Sequence, residues 1–254
     1  MIRVGVLGAS GRMGRAVCAA VASEPEFELV AAVDTQAGGV VEGVAVSGSP
    51  DALLAASTDV VVEFTHPSAV MDNIRWCLAQ RIHVVVGTTG LSRDDIDEVR
   101  TLAEDGPANA VIAPNFAIGA ALAMRFAEQA AIWFPEAEII ELHHERKVDA
   151  PSGTALTTAG RIAAARDSAP QVPGGDDAHP GARGADVDGI RVHSVRLPGL
   201  LAHEEILFGG PGQVLTIRHD STDRASFMPG VLLAINSVAS RPGLTHGLDA
   251  LLDV

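Results

Sequence analysis

The first half of the chain alternates unbroken apolar runs rich in β-branched residues with stretches whose apolar positions recur at helical spacing. IRVGVLG (Ile2 to Gly8) predicts a first strand, and an apolar helix follows from about Arg12 to Ala22. FELVAAVD (Phe27 to Asp34), DVVVEFT (Asp59 to Thr65), IHVVVGTTG (Ile82 to Gly90) and AVIAPNF (Ala110 to Phe116) predict four more strands. Between them Ser49-Pro50 opens a short helix, with Ser as N-cap and Pro in the first turn. Pro67-Ser68 starts another helix, and Ser92 with Asp95 predicts a capping box for a helix running to about Glu104. Continuous hydrophobic strands separated by helices imply a parallel sheet covered on both faces.

After Phe116 the pattern changes. IGAALAMRFAEQAAIWF carries apolar residues at helical spacing, AEIIELHH predicts a strand and SGTALTTAGRIAAAR a helix. The stretch from about Asp167 to Gly189 is dense in Pro, Gly, Asp and Ala and predicts an exposed loop or flap. IRVHSVRLP, AHEEILFG and QVLTIRHD alternate apolar with polar residues between Gly and Pro turns, which predicts antiparallel strands. A last helix, about Phe227 to Ser240, is expected to return to the first domain. The fold class is therefore α/β: a Rossmann-type doubly wound parallel sheet over 1–116, rejoined by 227–254. A second α+β domain, with a mixed or antiparallel sheet, occupies 117–226.

Composition narrows the function. The chain has 254 residues and a formal charge of -14. Such a charge opposes nucleic acid or anionic membrane as the main partner, since both select basic surfaces. Any anionic ligand must be held by a local cationic cluster. The two cysteines, Cys18 and Cys77, lie in apolar helix-like stretches and read as reduced core thiols. The amino terminus runs straight into structure with no leader-like region, and no apolar stretch is long enough to span a bilayer, so a cytoplasmic location is expected. Tyr is absent, which excludes a tyrosine acid.

In a doubly wound sheet ligands bind outside the carboxyl ends of the strands, and here those ends read GASG, Asp34, FTHP, GTTG and APNF. Gly8, Gly11 and Gly14 form GASGRMG, between the first strand and its helix, with Ser10 where the commonest dinucleotide fingerprint has glycine. Glycines let a pyrophosphate approach, and a helix N-terminus supplies N–H groups and positive potential. Asp34, ending the second strand, can accept from the adenine-ribose hydroxyls and favours NADH. Thr35 offers no charge for a 2′-phosphate, whereas Arg12 could reach one, so NADPH stays open.

ELHHERKVDAPSGTAL gathers scarce cations beside a glycine turn. His143 and His144 end the predicted strand, so their side chains point to opposite faces. That geometry, with no third ligand at suitable spacing, argues against a metal site. His143 and Lys147 are four apart and could share a face. The helix opened by Pro151-Ser152-Gly153-Thr154 offers free N–H groups and hydroxyls to a carboxylate. Two His, one Lys and a helix tip describe a pocket for a small, multiply anionic acid with groups suited to proton transfer. Glu145 and Arg146 read as solvated surface charges.

ELHHERKVDAPSGTA resembles the signature of the dihydrodipicolinate (4-hydroxy-tetrahydrodipicolinate) reductase family of bacterial lysine and diaminopimelate synthesis. GASGRMG, EFTHP, GTTG, APNFAIGA and GARGADVDGIRVHSVRLPG are similar to further segments of that family, in the same order. The resemblance implies NAD(P)H-dependent reduction of a cyclic dicarboxylate after loss of water. It implies His143 as proton donor and acceptor, Lys147 as proton donor, and His144, Gly153 and Thr154 as substrate-carboxylate ligands. Cofactor contacts are implied for Gly8, Ala9, Ser10, Gly11, Arg12 and Met13, for Asp34, for Gly87, Thr88 and Thr89, and for Ala113, Pro114, Asn115 and Phe116. It further implies a second domain that closes over the cofactor on hinges near Phe116 and Phe227, and a homotetramer joined through the second-domain sheet. Two alternatives stay open: another two-domain dehydrogenase acting on an amino or keto acid, and a regulator that binds NAD(H) without turnover.

Overall fold

The computed structural model describes residues 1–166 and 178–252. The chain divides into two compact units, Met1–Phe116 together with the residues from Phe227 onward, and Ala117–Ser226.

The first unit is built on strands β1 (Ile2–Leu7), β2 (Phe27–Val33), β3 (Val40–Val41), β4 (Val44–Ser47), β5 (Val60–Glu63), β6 (His83–Val86), β7 (Ala110–Ile112) and, near the end of the chain, Leu244–His246. Among the described residues they form one sheet in the order Leu244–His246, β7, β6, β5, β1, β2, β4, β3. All pairings are parallel except the β3–β4 hairpin. The strand order reverses between β1 and β5, which is the switch point where doubly wound sheets bind ligands. Val60, Val61 and Val62 of β5 and Val84, Val85 and Val86 of β6 are all buried, so neither face meets solvent there.

Helices α1 (Arg12–Ser23), α2 (Asp51–Ala55), α3 (Val70–Ala79) and α4 (Arg93–Asp105) connect these strands. The capping box on α4 is formed: the Ser92 hydroxyl accepts from Asp95 N–H at 3.1 Å, and the Asp95 carboxylate accepts from Ser92 N–H at 2.8 Å. α2 begins one residue later than expected, so Pro50 and not Ser49 takes the N-cap position; the Ser49 hydroxyl, just outside the helix, accepts from Asp51 N–H at 3.2 Å. After Pro67 a turn intervenes, with His66 C=O accepting from Ala69 and Val70, and the helix begins at Val70.

The strand runs read from hydrophobicity were too long at their ends. β6 stops at Val86 and β7 at Ile112, because GTTG and APNF leave the ladder as loops. The β3–β4 hairpin was missed. Its turn residues Glu42 and Gly43 both have positive φ, 48° and 81°, the geometry of tight hairpin turns.

The second unit contains α5 (Ile118–Ala131), β8 (Glu136–His143), α6 (Gly153–Ala164), β9 (Ala185–Val187), β10 (Ile190–Arg196), β11 (Ala202–Gly210) and β12 (Gln213–Ser221). Its sheet runs β12, β11, β8, β10, β9. Ile139, Ile206, Phe208, Ile190 and Val192 pack against Ala127, Ala155, Ala159 and Ile162 of the two helices. Small residues on the helices let them approach the sheet closely. The expectation that the last three long strands are antiparallel needs correction. β11 pairs antiparallel with β12 and β8, but β10 runs parallel to β8. A helical crossover separates β8 from β10, and such a crossover returns the chain in the same direction. Of the loop expected over 167–189, residues 167–177 lie outside the described residues, and Ala185–Val187 within the remainder is strand β9.

The chain from Phe227 onward supplies α7 (Met228–Val238) and the final strand to the first unit. The Asn109 amide donates to Val238 C=O at 2.9 Å and anchors the helix end. Among the described residues no helix is long and apolar enough to cross a membrane.

Candidate active site

The glycine loop is shaped by close backbone contacts. Gly8 has φ +81°, and a Cβ there would lie 2.1 Å from Phe64 C=O. Gly14 presses its Cα face onto the Gly8 carbonyl, where a Cβ would come within 2.0 Å. Gly11 N–H donates to Gly8 C=O at 3.0 Å and begins α1, whose first turn carries no acidic residue to neutralise its positive end.

A cavity of about 360 Å³ opens at the switch point. Gly8 and Gly11 line it after β1, Asp34 and Thr35 after β2, and Phe64, Thr65 and His66 after β5. Asp34 Oδ2 accepts from Ser10 N–H at 3.0 Å and Oδ1 from Gln36 N–H at 2.9 Å. A carboxylate offers about four lone-pair sites, so both oxygens can still accept from hydroxyls. No Lys or Arg is among the described lining residues.

The other predicted cofactor residues surround this cavity unevenly. Ala9 is buried and donates to Val33 C=O, while Arg12 and Met13 open α1 without lining the cavity. Gly87 touches the Phe64 ring, where a Cβ would come within 2.1 Å. The Thr88 hydroxyl accepts from Thr65 N–H at 2.8 Å. Thr89, Ala113, Pro114 and Asn115 lie outside the lining, and Phe116 meets Phe64 ring to ring at 5.9 Å. Sequence reading missed Glu63, fully buried at the end of β5, whose carboxylate accepts from the Thr65 hydroxyl and from Asn73 Nδ2 at 3.1 Å. A charge closing a run of three valines was the available signal.

In the second unit Ala137, Ile139, Glu141 and His143 share one face of β8, by the two-residue alternation of a strand. Glu141 is a charged residue in a core position. His143 Nδ1 lies 2.6 Å from Glu141 Oε2. Arg196 of β10 clasps the same carboxylate at 2.9 and 2.8 Å, and Ser152 N–H donates to Oε1 at 3.2 Å. Arg196 also donates to Lys147 C=O at 3.3 Å and Asp149 C=O at 2.6 Å. Burial works against the Glu141 charge. Hydrogen bonds from His143, Arg196 and Ser194 outweigh it and hold the carboxyl down at about 2.

His144 follows the strand, with Nδ1 buried and no hydrogen-bond partner among the described residues. Its pKa is pushed down by burial and then by the nearby Arg146 guanidinium, which favours a neutral ring. Lys147 closes a turn onto His144 C=O, and its ammonium rests on Asp149 at 2.9 and 2.8 Å. Lys147 is also the only lysine in the sequence, all other strong cations being arginine. Ser152 caps α6, its hydroxyl accepting from Ala155 N–H at 3.2 Å. Gly153 faces open space where a side chain would stand.

Residues 2–116 match the family model described as dihydrodipicolinate reductase, N-terminus, and residues 119–252 match the model for its C-terminus. A 4-hydroxy-tetrahydrodipicolinate reductase of Nocardia farcinica (strain IFM 10152) is 56% identical, the alignment covering 100% of this chain and 99% of the relative. One from Mycobacterium sp. (strain KMS) is 53% identical with full coverage of both. The structure of dipicolinate-bound dihydrodipicolinate reductase from Paenisporosarcina sp. TG-14 superposes with TM-score 0.88 at 42% identity, covering 99% of this chain and 100% of that one. The aspartate dehydrogenase of Thermotoga maritima, at 12% identity and TM-score 0.53, shares the fold alone. With both halves matched in order and relatives above half identity along its whole length, the chain belongs to the dihydrodipicolinate reductase family.

Proposed function

We propose that this chain carries out its family's reaction, reduction of 4-hydroxy-tetrahydrodipicolinate to tetrahydrodipicolinate in lysine and diaminopimelate biosynthesis, with NADH or NADPH. The first unit fits a dinucleotide. Its glycine loop leaves backbone where a Cβ at Gly8 or Gly14 would clash, the first turn of α1 is free of acidic residues, and Asp34 stands at the cavity wall. With a carboxylate and, among the described lining residues, no Lys or Arg along that wall, NADH is the preferred form. When bound, the reduced nicotinamide supplies the hydride.

The second unit supplies proton transfer and charge. His143 exchanges a proton through Nε2, since Nδ1 is engaged by Glu141. Lys147 donates a proton, a role its titratable ammonium allows and arginine would not. His144, Gly153 and Thr154 hold the substrate carboxylates, the glycine leaving the α6 N-terminus sterically open. The observation that carries this reading is the shared Glu141 carboxylate. It ties the His143 imidazole to Ser152, one residue before the helix tip, so base and carboxylate site are built as one piece.

Turnover tests it. The cyclic substrate is generated in situ from pyruvate and aspartate semialdehyde, and NADH consumption is followed by absorbance. Oxidation of NADH that depends on this substrate supports the proposal. Turnover with aspartate or homoserine alone, or NADH binding without turnover, overturns it.

A homotetramer joined through the second sheet is part of the same proposal. β12 is an edge strand carrying exposed Val214 and Leu215, apolar side chains that a subunit contact would cover. Sedimentation of a monomer at micromolar concentration would remove it. A cytoplasmic location accords with a biosynthetic step that draws on the NAD(P)H pool.

A further inference from the structure

Glu141 is fully buried and anionic on a strand face otherwise given to core packing. A buried carboxylate is costly unless its charge and lone pairs are met. Here the Arg196 guanidinium meets the charge in a two-point clasp, Ser152 N–H fills another site, and one oxygen remains turned to His143 Nδ1. Neutralising Arg196 alone would not require contact with a ring nitrogen. We infer that Glu141 is a positioning residue for proton transfer. It acts through His143, fixing the tautomer with Nδ1–H on the carboxylate and Nε2 as the exchanging atom.

The same residue reaches the other parts of the site. Arg196, held by Glu141, donates to the backbone carbonyls of Lys147 and Asp149 and so fixes the turn that presents the lysine. Ser152 N–H fixes the start of α6. A third group that orients a base governs which ring nitrogen carries the proton, and this is the relation seen here. The groups facing Glu141 are Arg196 and Ser194 from β10, Ser152 from the α6 cap, His143 from its own strand, and Glu204 directly opposite on β11. This inference rests on the proposed role of His143, and the test separates the two.

The test is a double-mutant cycle on the full-length enzyme with Glu141→Gln and His143→Asn, read beside ¹⁵N-histidine NMR of the His143 ring. Glu141→Gln should lower kcat by on the order of a hundredfold, with KM changing far less. In the double variant the loss should be no greater than for His143→Asn alone, because the carboxylate acts through the imidazole. The NMR signature of a proton fixed on Nδ1 should disappear in Glu141→Gln. Multiplicative losses, or an unchanged His143 tautomer, would overturn the positioning role. Full turnover in His143→Asn would instead overturn the assignment of His143 itself. Should Glu141→Gln leave Arg196 unbalanced and fail to fold, Glu141→Asp keeps the charge while withdrawing it from the ring. The same cycle, with the same outcomes, then applies.

Discussion

The ammonium of Lys147 rests on both carboxylate oxygens of Asp149, at 2.9 and 2.8 Å, in a turn whose backbone is pinned by Arg196. Burial opposes the Asp149 charge, but Lys147 outweighs it and keeps the carboxyl below its ordinary range. The chain's single lysine is thus held in one orientation. Lys147→Ala should lower kcat roughly 10²- to 10⁴-fold, the range for loss of a general acid. Lys147→Arg should be nearly as slow while restoring part of KM, since it keeps charge but not proton release. NADH affinity, measured by fluorescence titration, should stay within about twofold in both. Wild-type turnover in the arginine variant would show that Lys147 contributes charge alone.

Asp34 is the residue proposed to meet the cofactor's ribose end. Its carboxylate already holds Ser10 and Gln36 N–H, so the acceptor is fixed in place before a ligand arrives. Charge-assisted hydrogen bonds contribute about 1.5–3 kcal/mol, so Asp34→Ala should weaken NADH roughly tenfold to a hundredfold. NADPH binding should change little, because the lost carboxylate also repels a 2′-phosphate. Equal losses for the two cofactors, in parallel titrations, would make Asp34 a brace of the loop only.

Gly14→Ala tests the shape of the glycine loop. The added Cβ would lie 2.0 Å from the Gly8 carbonyl oxygen and 2.8 Å from Ala9 Cα, all backbone atoms that no rotamer change can move aside. Such overpacking costs about 1–3 kcal/mol and should displace the loop from α1. A fall in Tm together with at least tenfold weaker NADH binding is expected. Wild-type affinity would mean that the loop tolerates the shift.

Glu204 gives the fold a pH signature. It is buried on β11 opposite Glu141, with the Thr158 hydroxyl donating to one oxygen at 3.2 Å. Burial, opposed by the Thr158 hydrogen bond and aided by the Glu141 charge, raises its pKa to about 7. The folded state therefore holds a proton that the unfolded chain releases near its ordinary 4.5. This contribution is complete below that value and is lost as pH rises to about 7, by up to about 3 kcal/mol. Glu204→Gln should remove that slope and make the variant more stable than wild type at pH 8 in urea melts. Parallel pH profiles for the two proteins would exclude the effect.

The α4 capping box, the glycine turn and the alternation of strand and helix were legible because each follows from neighbours in sequence. The strand ends after Val86 and Ile112 were not, since the small residues of GTTG and APNF fit an extended chain as readily as a loop and only the ladder decides where pairing stops. The direction of β10 was hidden as well, because two-residue alternation looks the same in parallel and antiparallel neighbours.

Local chemistry along the chain therefore points to the residues proposed to bind a dinucleotide and to move a proton. Tertiary structure alone decided that Glu141 would meet Arg196, fifty-five positions away, and that Glu204 would lie opposite it. The alternating pattern of β8 places a carboxylate in the core face but does not name its partners. Those are set by strand order and register, which bring distant charges together where water cannot screen them.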